Sequence, residues 1–303
     1  MTNAVLYAVT VLIWGASWFV VTFQLGVVPP EISVAYRFVL AGLILLAYCA
    51  ATGRRLLFTR RQHLAMALQS LPLFAIDYTL IYFAASRLPT GLIAVVFSTI
   101  VVFNILFGAL FFRTPVRTQV ALGALLGVAG TALVFAPEFA AFDLESRRFT
   151  GIVLSLIAVM SASLGNMMSV RNQRAGLPVV QTNAYTMLYA GIVVLAFGLL
   201  RGLPLGFDTS VGYIGSLVFL AVFATAVAFG GYLTLLGRLG ADRAAYIMVL
   251  FPIVALVMST LFEGFRWSAT TGAGVALVLL GNLLVLARVP GGAGGQRKVE
   301  REA

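Results

Sequence analysis

GALLGVAGTALVFA, Gly123 to Ala136, returns 151 residues later as GVALVLLGNLLVLA, Gly274 to Ala287. Gly123, Leu126, Gly130, Leu133, Val134 and Ala136 meet identical residues in the second copy, with no gap. The same register pairs Arg87-Leu88 with Arg238-Leu239 and Leu110-Phe111 with Leu261-Phe262. Nearer the start, Ala41-Gly42 pairs with Ala190-Gly191 at an offset of 149. An ungapped register across two apolar stretches marks an internal repeat.

Composition gives the medium in which the repeat lives. Hydrophobic residues make up 61% of the 303 and charged residues 10%, against roughly 45–50% and about 25% in soluble domains. Mean hydropathy is +1.03. So few charges cannot cover a water-facing globule, which excludes a cytosolic enzyme, a secreted domain and a disordered chain. An integral membrane protein in the lipid bilayer remains. The single cysteine, Cys49, excludes a disulfide framework and a cysteine-built metal site. The net charge of +10 does not point to nucleic acid, because the basic residues are scattered over short loops.

A membrane helix needs about 20 apolar residues. Ten spans fit: Ala4–Gln24, Glu31–Thr52, Gln62–Phe83, Thr90–Phe112, Thr118–Ala136, Gly151–Val170, Thr182–Leu200, Val211–Leu236, Arg243–Phe262 and Ser268–Arg288. The stretches Gly91–Ala136 and Val211–Phe262 are nearly continuous, so counts of nine or eleven also satisfy the pattern. Strand-type alternation is absent, against a barrel. The first span lacks a basic leader and runs into another span, which reads as a membrane helix and not a cleaved signal peptide.

Arginine and lysine in short loops set orientation. Fourteen fall on the side shared by both termini and five on the other. That bias places both termini in the cytoplasm. Five spans per copy is an odd number, so the second copy enters the membrane from the opposite side. The expected fold is an all-α membrane protein of ten helices in two inverted five-helix repeats, 1–144 and 145–290, with a disordered cytoplasmic tail, 291–303. Inverted repeats are a recurring plan of secondary transporters. No phosphate-binding glycine loop offers ATP a place, the one histidine, His63, cannot make a two-histidine metal motif, and no catalytic constellation is present. Neither an enzyme nor a cofactor is expected. A channel or scaffold has no need of inverted halves.

Ionisable groups inside a span are costly and mark candidate sites. Arg37 and Asp77 stand at matching depth on the second and third spans, as an ion pair or a coupling site. Trp14 and Trp18 share one helix face, as do Tyr78 and Tyr82. Their flat rings and polar tips suit an amphipathic or aromatic solute. Among small polar residues at mid-depth, Ser17, Thr99, Ser163 and Asn166 can hydrogen-bond a substrate, or a neighbouring helix. Tyr246, just before Pro252, is a further lining candidate. Pro252 and Pro72 each remove a helical hydrogen bond and support bends for gating. Glu263 reads as interfacial. The glycines of the fifth and tenth spans read as a close contact between halves or a dimer seam; a monomer or weak homodimer follows.

Leu12-Ile13-Trp14-Gly15-Ala16-Ser17, Pro29-Pro30 followed by Arg37-Phe38, Leu88-Pro89-Thr90-Gly91, Phe251-Pro252 and Phe262-Glu263-Gly264 come in an order that resembles the EamA-type transporters of the drug/metabolite transporter superfamily. The departures are a fourth span without proline, Phe112-Arg113 in place of Gly-Glu, and no tryptophan in the sixth span. The resemblance implies ten helices in a 5+5 inverted repeat, metabolite export and a bacterial inner-membrane location. It is nearest to aromatic amino-acid exporters of the YddG type. A cavity with one buried cation and several aromatic rings fits a small zwitterionic substrate, an aromatic or other neutral amino acid. A proton-coupled multidrug or other metabolite exporter of the same fold is the alternative.

Overall fold

A computed structural model describes residues 2–113, 116, 118–134, 136, 146–239 and 247–286. Tyr246 and the tail 291–303 lie outside the described residues. Among the described residues the structure is helical, with no strand. α1 is Asn3–Val20, closing in a 3-10 turn, Val21–Gln24. There follow α2 Pro30–Ala51, α3 Arg60–Ala85, α4 Thr90–Phe112, α5 Thr118–Val134, α6 Arg147–Arg174, α7 Val179–Leu200, α8 over 211–239, α9 Ile247–Phe262 and α10 Ala269–Leu286. Six of these, α1, α2, α3, α4, α6 and α7, are long and apolar enough to cross a membrane. Shorter apolar helical stretches are Thr118–Val134, Val211–Thr225 within α8, Ile247–Phe262 and Ala269–Val285. Leu110, Leu125 and Leu261 stay 68%, 65% and 67% exposed, a surface that lipid tails solvate and water does not.

Helix starts follow local chemistry. Thr2, Thr59, Ser146 and Ser210 each accept a first-turn N–H with the side-chain oxygen, satisfying a donor that has no partner within its helix. Gln62 reaches back to Thr59 and completes a capping box. Pro30 opens α2, and Pro89 and Pro178 stand just before α4 and α7, where a fixed φ costs nothing. α6 runs four residues beyond the expected span at each end. Ser146 caps its start, Arg171 and Arg174 favour the carbonyl end of the dipole, and Arg174 lies 4.4 Å over the Phe112 ring.

Three helices are not uniform. The middle of α3, Leu71–Ile76, and of α8, Phe219–Val227, widens to π-helix. Pro72 accounts for the first; the second contains no proline. α4 breaks at Thr99 without one. There Ser98 and Thr99 donate to the carbonyls of Val95 and Val96, at 2.7 and 2.6 Å, competing with the helical ladder.

The helices pair in a pattern that survives exchange of α1–α5 with α6–α10. α5 packs on α10 and α2 on α7; α1 meets α9 as α6 meets α4; α1 meets α8 as α6 meets α3; α2 meets α8 as α7 meets α3. Atoms repeat the exchange. A methyl added at Gly123 would stand 2.6 Å from the Gly281 carbonyl oxygen, and one at Gly130 2.6 Å from that of Gly274. At the α2–α7 contact, Gly42 presses on the Leu188 nitrogen and Gly191 on the Val39 nitrogen, each at 2.7 Å. Each of these contacts recurs with the two halves exchanged. Gly272 is different from its expected role: nothing lies within 4 Å of its would-be methyl.

Side chains also gather by end. Arg238 bonds Asn3 at 3.2 Å and Gln119 the Leu284 carbonyl at 2.6 Å at one end. Glu31 pairs with Arg201 at 2.7 Å at the other. Gln24 there donates to Ser216 and to the Tyr213 carbonyl, at 2.6 and 2.9 Å.

Candidate functional site

The two tryptophans of α1 meet rings from both repeats. Trp14 donates its indole N–H to the Ala224 carbonyl in the π-turn of α8, at 2.9 Å. Its ring lies 5.5 Å from Tyr232 and 6.2 Å from Phe229. Trp18 stacks on Phe251 at 6.1 Å, with 9° between planes, and leans on Phe97 at 5.3 Å. Met248 packs into the same group. Trp14, Trp18 and Phe97 are half-buried. Phe251 directly precedes Pro252, which lies inside α9, so the ring wall sits on the turn that the proline weakens.

Arg37 is 5% exposed and Asp77 1%. No hydrogen bond reaches Arg37 Nε or Asp77 Oδ1. The guanidinium instead lies 4.7 Å over the Tyr78 ring and 5.5 Å from Phe38, a cation–π arrangement. Tyr78 in turn meets Phe38 edge-on at 4.7 Å. Tyr82 is fully buried beside the Arg37 guanidinium. Arg37 on α2 is thus an electrostatic neighbour of Asp77 on α3, its charge resting on aromatic rings with no hydrogen bond at Asp77 Oδ1.

The small polar residues divide. Ser17 donates to the Trp14 carbonyl at 2.6 Å and Thr99 to Val96, so both hydroxyls are spent on their own helices. Ser163 and Asn166, from α6, converge on one atom of α4, the Asn104 Oδ1, at 2.9 and 3.2 Å. Ser161 donates to the Pro72 carbonyl at 2.8 Å.

Sequence reasoning passed over Asn104, Phe97 and the role of Glu263. An asparagine within the apolar run IVVFNILF was the available signal for the first. Glu263 accepts from the Thr90 N–H at 3.0 Å, from the Thr90 hydroxyl at 2.9 Å and from the Ser259 hydroxyl. Ser259 also accepts the Gly91 N–H at 2.7 Å. The end of α9 thus caps the start of α4, where a carboxylate suits the helix dipole.

Comparison with known proteins agrees with this architecture. Residues 2–136 and 149–287 each match the model of the EamA-like transporter family, and the chain belongs to that family. It is a membrane transporter and not an enzyme. It is 28% identical to the inner membrane transporter YedA of Escherichia coli K12, itself uncharacterized, over 90% of this chain and 87% of that one. It is 24% identical to a probable amino-acid metabolite efflux pump of the same organism, over 92% and 93% of the two chains. A solved crystal structure shares its fold at a TM-score of 0.67 and 17% identity, over 93% of this chain and 95% of that one.

Proposed function

We propose that the protein exports small zwitterionic metabolites, aromatic and other neutral amino acids, across the bacterial inner membrane by alternating access. In this reading all ten helices span the bilayer as two inverted repeats, with both termini cytoplasmic. The reciprocal glycine contacts and the exchangeable pairing of helices support the inversion. The observation that carries the substrate is the ring cluster of Trp14, Trp18, Phe97, Tyr232 and Phe251, drawn from α1 and α4 of one repeat and α8 and α9 of the other. A solute held between halves is exposed to each side in turn as they rock. Flat rings offer area to an aromatic side chain and π-faces to an ammonium group. The relative described as a probable amino-acid metabolite efflux pump leans the same way.

A second reading, a proton-coupled multidrug or other metabolite exporter, rests on Asp77, a buried carboxylate whose Oδ1 has no hydrogen-bond partner. One experiment separates the two. Proteoliposomes holding the purified protein are given labelled phenylalanine, threonine or a cationic dye, with and without a proton gradient. The first reading expects saturable phenylalanine flux. Dye flux driven by the gradient, with no amino-acid flux, would replace it with the second.

A further inference from the structure

We propose that Asn104 and Asn166 read the α-amino-carboxylate head of the substrate, while Phe97 and Trp18 hold its side chain. The inference rests on the export reading above and deepens it. Asn104 Oδ1 accepts from both Ser163 and Asn166, which uses its two lone pairs. Its amide nitrogen keeps two N–H donors. Asn166 spends a donor on Asn104 and keeps its carbonyl oxygen as acceptor. One donor and one acceptor therefore stand side by side. Rotating both amides exchanges their roles and leaves the same pair. Ser163 is fully buried, whereas Asn104 and Asn166 are half-buried, so the serine anchors and the amides present.

The chemistry of that pair is specific. A carboxylate accepts from the amide nitrogen, and an ammonium donates to the amide oxygen. The site carries no net charge, so it needs no counter-ion in a low-dielectric surrounding and complements a zwitterion rather than an anion or a cation. Phe97, Trp18 and Phe103, the chain neighbour of Asn104, pack against the core that holds Val159 and Ala162 of α6, one to two helical turns before Asn166. An aromatic amino acid with its head at Asn104 reaches Phe97 and Trp18 with its ring. Buried hydrogen-bonding groups reject analogues that leave them unpaired.

The same contacts also join α4 to α6, so the test reads selectivity and not activity alone. Half-saturation constants are measured in proteoliposomes for phenylalanine, phenethylamine, which lacks the carboxylate, and 3-phenylpropanoate, which lacks the ammonium. The native protein is expected to favour phenylalanine over both at least tenfold. Asn104→Asp removes the donors and adds a charge; it is expected to weaken phenylalanine at least tenfold and move the preference to phenethylamine. Asn104→Ser, small and still polar, is expected to narrow the gap between phenylalanine and phenethylamine. Native protein that takes phenethylamine as well as phenylalanine overturns the inference without any variant. Equal losses for all three ligands in Asn104→Asp and Asn104→Ser assign the cluster to packing and overturn it too. Absence of flux for all three in the native protein overturns the amino-acid reading, and this inference with it.

Discussion

At the scale of single residues, the indole of Trp14 does two things at once. Its N–H bonds the Ala224 carbonyl and its ring faces Tyr232. Trp14→Phe keeps the ring and loses the bond; Trp14→Ala loses both. Phenylalanine uptake is expected to show a several-fold higher half-saturation constant in the first and more than tenfold in the second, since each aromatic contact is worth about 0.5–1.5 kcal/mol beyond its buried area. Arg37 and Asp77 make a different case. Both are buried, and the Arg37 charge rests on the Tyr78 ring. Removing one leaves the other uncompensated within the membrane. Arg37→Met is therefore expected to lower thermal stability in detergent by about 1–3 kcal/mol, a cost typical of disturbed buried polar networks. The double variant Arg37→Met/Asp77→Asn should recover much of that loss. Simple additivity of the two single effects would show that the charges act independently.

At the scale of elements, the glycines of the α5–α10 seam bring two backbones into direct contact. A methyl at Gly130 would meet the Gly274 carbonyl oxygen at 2.6 Å, so Gly130→Ala must push two backbones apart. A cost of about 1–3 kcal/mol is expected from overpacking of this kind. Gly272→Ala, where nothing lies within 4 Å, should be neutral or slightly stabilising, because alanine is the better helix former. Thermal melts of the two variants side by side check the contrast. Where the end of α9 meets the start of α4, Glu263 caps α4 through Thr90 and Ser259. Glu263→Ala removes the acceptor for all three groups and should loosen α4 from α9 at that end. Cys49 is the only cysteine and is fully buried, so a Cys49→Ala background isolates a reporter. A cysteine at Leu92, 7% exposed in the native fold, is expected to react several-fold faster with a polar thiol reagent when Glu263 is alanine. An unchanged rate would mean that the cap does not hold this end closed.

For the whole molecule, orientation is the property to measure. With both termini cytoplasmic, a fluorescent protein fused after Ala303 should fold and glow, and alkaline phosphatase at the same place should be inactive. Phosphatase inserted between α7 and α8, near Asp208, should be active; the reverse pattern would invert the topology. Much of this molecule was readable before any coordinates. The apolar stretches, the offset of 151 residues and the glycines at 123, 130, 274 and 281 are all written in the chain, because lipid demands long apolar runs and close backbones demand the absence of a side chain. Family membership followed from the order of short motifs. Contacts between distant residues were not readable. Asn104 looked like one amide in an apolar run until α6 brought Ser163 and Asn166 to its oxygen. Glu263 looked interfacial until α4 presented its unpaired N–H groups. The π-turn of α8 has no proline to announce it. Hydrophobic patterning and helix caps act within a few residues of the chain, so sequence alone determines them. Which polar atom meets which across helices depends on how the rotated faces of the helices pack, and only the tertiary structure decides that.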